Sequence, residues 1–148
     1  MALWDQADLV TVPLLDGGLG LLQIVDRAGP DAALAALTLR RPAPGAAVAP
    51  LAASDITSFQ RIATGAIVDG TWTIAGFEQI PRLAALPDLD VARLRDWPGL
   101  PLRDPAVIEA FLNACHGLYP WDGFPDAAFF DTFLLPGRTR PDAAVLGR

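Results

Sequence analysis

The sequence predicts an α+β domain: a curved antiparallel sheet over residues about 8–90, packed by two helices over residues about 104–136. Three observations carry this. The first half alternates apolar and polar residues between glycine-bearing turns. The C-terminal third switches to three- and four-residue spacing behind a capping signal. At 148 residues, about half of them apolar, the chain is long enough for one domain with its own core, without metals or disulfides.

The first strand is "DLVTVPLL". Val10, Val12 and Leu14 share one side, and Leu9, Thr11 and Pro13 the other. Pro13 removes a ladder donor, which marks an edge strand or the start of a bend. "DGG" at Asp16 to Gly18 accepts positive φ, so "LGLLQIVDR" returns as the second strand of a hairpin. After the "RAGPD" turn, "AALAALTLRR" has helix-forming residues behind a possible cap at Asp31. Its alternation through Thr38 favours a third strand, and we assign a strand over residues 32–41. Pro42 to Ser54 has too much Pro and Gly for regular structure and too little charge for a solvated linker. It reads as a loop within the domain. "GAIVDGTWTIAG" reads as a second hairpin turning at Asp69-Gly70, with Trp72 and Ile74 on one face.

The proline-punctuated stretch "PDLDVARLRDWPGLPLRDP" leads into a helix. Asp104 is its N-cap, Pro105 its first residue, and Val107, Ile108, Phe111, Leu112 and Cys115 its buried stripe. Glu109, Asn113 and His116 form the polar side, and Gly117 ends the helix in a left-handed conformation. A second, shorter helix is expected from Asp126 through "AAFFDTFLL" to Pro136-Gly137. The tail, residues 138–148, has little to pack.

Charge narrows the partners. The net charge is −6, all eleven basic residues are arginines, and fifteen of the seventeen acids are aspartates. That balance disfavours nucleic acid and anionic membranes, and it suits a basic protein partner. The start, "MALWDQADLV", carries acid where a signal peptide needs positive charge, and no apolar run is long enough to span a bilayer. The expectation is a soluble, cytoplasmic protein.

Reactive residues are few. Cys115 and His116 are the only ones of their kind, and consecutive helical residues point about 100° apart, which denies them a nucleophile–base contact. Cys115 on the apolar stripe reads as structural. His116 in the last helical turn reads as an imidazolium favoured by the helix dipole, with a general base supported by Asp122 or Asp126 as the alternative. One Cys and one His make no zinc site, and the aspartates lack EF-hand spacing, so no metal or cofactor is expected, with a carboxylate site for magnesium or calcium around Asp122, Asp126 and Asp131 as the alternative. Gly17, Gly18 and Gly20 lack the helix a phosphate loop needs, and no nucleophile elbow is present. What remains is acid and aromatic residues on loops: Asp88, Asp90, Asp96, Trp97, Tyr119, Trp121 and Asp122. These suit either the edge of a core or a protein interface.

Three segments together, "DLVTVPLLDGGLGLLQIVD", "GTWTIAG" and "GLYPWDGFPDAAFFDTFLL", resemble the immunity-protein 26 family of small bacterial proteins associated with polymorphic toxin systems. The resemblance implies a non-enzymatic protein that binds and neutralises a cognate toxin. Some relatives carry a phosphotriesterase label, which implies as the alternative a hydrolase using His116, Asp122 and Asp126. The residues also leave open a small-ligand or scaffold module with tryptophans lining a pocket near Trp72.

Overall fold

The computed structural model describes residues 3–83, 89, 92, 95–97 and 99–147. Six strands form one open sheet: β1 (Asp8–Pro13), β2 (Leu19–Arg27), β3 (Ala32–Thr38), β4 (Ile56–Ala63), β5 (Thr73–Phe77) and β6 (Leu102–Arg103). Their order is β5-β1-β2-β3-β4-β6, antiparallel except for the short β4–β6 pair. Helix α1 (Gly65–Val68) is a single turn, and α2 (Pro105–Cys115) is the long helix among the described residues.

The expected β1–β2 hairpin forms, with Val12 opposite Gly20 and Pro13 opposite Leu19. Gly17 takes φ +83° in its turn, and Asp16 Oδ1 accepts from the Gly18 N–H. β1 is not an edge, however. β5 pairs with it from Asp8 to Thr11, so Pro13 lies past the last β5 partner and its missing N–H costs that ladder nothing. β3 is a strand, buried at all seven positions because both faces of the sheet are covered.

Alternation sends Val10, Val12, Leu22, Ile24, Ala33, Ala35 and Leu37 towards α2, where they meet Ile108, Phe111 and Leu112. Val25, Leu34 and Ala36 face the other way, against Phe59 and Trp97. The loop from Pro42 to Ser54 does belong to the domain. Its Leu51 packs on Leu9 and Leu21, and Arg40 ties it down through the Ala49 and Pro50 carbonyls and Asp55.

Asp104 Oδ1 accepts from the Ala106 N–H and starts α2 as expected. Gly117 at φ +75° ends it. The Gly117 N–H donates to Ala114 O and the Leu118 N–H to Asn113 O, the paired bonds of a Schellman cap.

Three expectations are corrected, and one strand is added. "GAIV" is not a strand: Ala66 and Ile67 turn inward as α1, Gly70 at φ +84° follows it, and β5 joins β1 rather than a neighbour in sequence. "ITSFQRIA" is β4, which the reading passed over. The second C-terminal helix is only a 3₁₀ turn, Phe130–Phe133. Phe124, Phe129, Phe130 and Phe133 gather there by ring contacts of 4.8–5.7 Å. Finally, the tail is tied back. Arg138 donates to the Ile56 and Ala53 carbonyls, Arg140 pairs with Asp131, the Trp121 N–H reaches Val145 O, and the Gly147 N–H reaches Asp122 Oδ1.

Candidate partner-binding surface

Cys115 is 1% exposed, and burial pushes its thiol up to about 12, which leaves no thiolate near neutral pH. His116 is half-buried at the C-cap of α2. Burial, then the Arg41 guanidinium, pulls its imidazole below the ordinary value, with Asp16 opposing. The favoured form is therefore neutral, which corrects the expected imidazolium: loss of hydration, with Arg41, outweighs the opposing pull of Asp16. Its Nε2 is buried without a hydrogen-bond partner among the described residues.

Neither Asp122 nor Asp126 is placed as its helper. Asp126 Oδ1 caps the Ala128 N–H, and Asp122 Oδ1 takes the Gly147 N–H. The charges acting on His116 come from the β1–β2 turn and the start of the Pro42 loop. There Arg41 Nη2 contacts both Asp16 oxygens at 2.7 and 2.8 Å. Asn113, assigned to the polar side, is 4% exposed. Its Nδ2 donates to Glu109 O and its Oδ1 accepts from the Leu15 N–H. Among the described residues, no group of three or more His, Cys, Asp or Glu is arranged to hold a metal. No helix among them is long and apolar enough to cross a membrane.

The interface candidates divide. Asp88 and Asp90 lie outside the described residues. Trp97 packs with Leu34 and Phe59 under one face of the sheet, and Trp121 with Phe111 and Phe130 under the other. Both tryptophans are buried, so neither is an exposed anchor. Indeed, the Trp121 indole N–H donates to Asp131 Oδ1 at 2.9 Å, which makes it a structural post. Tyr119 is half-buried edge-on to Phe124 and Phe130, and Asp122 is buried. Only Asp96 of the described set is exposed, and its φ of +55° marks a tight turn before Trp97. Trp72 is fully buried in the core cluster that α2 joins, with no exposed face.

The surface that the sequence did not reveal is the outer edge of β5. No strand pairs with that side among the described residues. Four of its five residues are exposed, and Phe77 at its end is 77% exposed. A bulge at Leu9/Val10 leaves Ala75 unpaired, and Gly76 takes φ +143°. Beside the edge runs a groove of about 370 Å³, walled by Pro44 and Val48 of the loop and floored by Thr11, Leu19, Ile74 and Ala75. An unpaired strand edge beside an apolar trough can accept one more strand, through main-chain hydrogen bonds and alternate side chains.

No family model matches the chain, and neither a curated protein nor a solved structure matches it.

Proposed function

We propose that the protein is a cytoplasmic, non-enzymatic immunity-like protein that binds and blocks a cognate toxin, taking an extended toxin segment along the β5 edge. The observation that carries this reading is the open edge itself, with Phe77 exposed at its end and the groove against Ile74 and Ala75. Edges left open invite pairing, and proteins without a use for one usually cover, charge or shorten it. The other edge, β6, is two residues long. A net charge of −6 supports a basic partner and fast encounter with it. The resemblance to immunity proteins supplies the class of partner.

The test is growth rescue. Cells producing a candidate toxin domain taken from a neighbouring reading frame should survive when this protein is co-produced. Ala75→Lys and Phe77→Glu, which put charge on the edge, should abolish survival while the protein remains folded. Survival with both variants contradicts binding at this edge. Survival of the wild type that His116→Ala abolishes without loss of fold supports the hydrolytic reading instead.

A further inference from the structure

A second groove, of about 320 Å³, opens at the opposite side of the sheet between residues 99–103 and 132–136. It contains Arg103, whose Nε donates to Gln60 Oε1 at 3.2 Å. Gln60 is buried, and its Nε2 donates to the buried Ser58 hydroxyl at 3.0 Å, so its amide is held with the oxygen towards the arginine. The guanidinium carbon lies 4.7 Å from the Phe133 ring centroid and 5.4 Å from that of Phe129. The fork is thus clamped from the side by an amide and supported by two rings.

Its two terminal nitrogens have no carboxylate and no carbonyl partner among the described residues. Burial accordingly pushes the guanidinium below its ordinary value with nothing to offset it. Elsewhere in the chain, Arg40, Arg41 and Arg140 each hold an aspartate. Arg103 is held in place without one. A preset planar fork matches a carboxylate with two parallel hydrogen bonds.

We propose that this groove binds a small organic carboxylate, its head on the terminal nitrogens of Arg103 and its apolar body against Phe59, Leu100 and Leu135. Among the described residues one arginine and no second cation line the groove, within a protein of net charge −6. That favours a single negative charge over a phosphate dianion. The volume lies at the small end of ligand pockets, which run upward from about 300 Å³. This site is separate from the β5 edge, and it stands whether or not a toxin binds there.

The experiment is an NMR titration of the full chain with phenylacetate. Saturable shifts are expected at the Leu100 and Leu135 amides and at the Arg103 Nε–H. The neutral isostere phenylacetamide should bind at least roughly tenfold more weakly, since it loses the charge-assisted pair. Arg103→Gln should lose a similar factor with its melting temperature checked alongside. Arg103→Lys, which keeps the charge but not the fork, serves if the glutamine variant does not fold, and should weaken binding several-fold. Absence of saturable shifts, equal binding of the amide, undiminished binding by a folded Arg103 variant, or tighter binding of phenyl phosphate would each overturn the proposal.

Discussion

The backbone N–H of Leu15 donates to the side-chain oxygen of Asn113 at 2.8 Å, joining residues 98 positions apart. This bond fastens the β1–β2 turn to the last turn of α2, and the other half of the amide closes on Glu109 O. Asn113→Ala removes both bonds at a 4% exposed site and leaves the Leu15 donor without its partner. It should cost about 1–3 kcal/mol in urea unfolding. Leu15→Ala, which touches a 71% exposed side chain and keeps the bond, should stay within about 0.5 kcal/mol.

Gly117 and Gly137 separate strain from space. Both have positive φ, +75° and +80°. A Cβ at Gly137 meets nothing within 4 Å, whereas at Gly117 it would lie 2.5 Å from the Ala143 carbonyl oxygen. Gly137→Ala should therefore cost only the left-handed penalty, about 1 kcal/mol. Gly117→Ala should cost clearly more and loosen the tail, seen as faster amide exchange at Trp121 and Gly147.

His116 links stability to pH. Its folded pKa is lowered by burial and by Arg41, so between that value and the unfolded value near 6.5 the unfolded chain holds the extra proton. Stability is then fully present above about pH 6.5 and falls as the pH drops below it. A ring-proton NMR titration should place His116 below 6.5, and His116→Gln should flatten the decline of urea midpoint in that range. A midpoint that rises as the pH falls from about 6.5 would contradict the neutral imidazole.

Cys115, with its thiol pushed up to about 12 and 1% exposure, should resist a thiol reagent such as DTNB in the native state at pH 8. Reaction should follow unfolding by denaturant. Rapid native labelling would show that α2 opens or that the thiol is reachable.

The parts of the fold legible in sequence were those where one pattern acted alone. Val10, Val12 and Leu14 alternate without interruption, and Asp104-Pro105 and Gly117 bracket α2. β4 was not legible because Thr57, Ser58 and Gln60 are polar yet buried, and the apolar alternation that marks a strand is broken there. "GAIVDGTWTIAG" misled because Asp-Gly serves a helix end as well as a hairpin, and only the topology shows that β5 returns to β1. The same topology creates the open edge, which no local spacing announces. Trp97 and Trp121 looked like anchors because aromatic residues near acids suit both core and interface, and burial decides between them.

The central claim is that a toxin segment pairs with β5, and amide hydrogen exchange with and without the cognate toxin domain tests it most directly. Binding should slow exchange markedly over residues 73–77, with smaller slowing in the Pro44–Val48 wall of the groove. A stable toxin complex in which the amides of 73–77 exchange as they do in the free protein would contradict it.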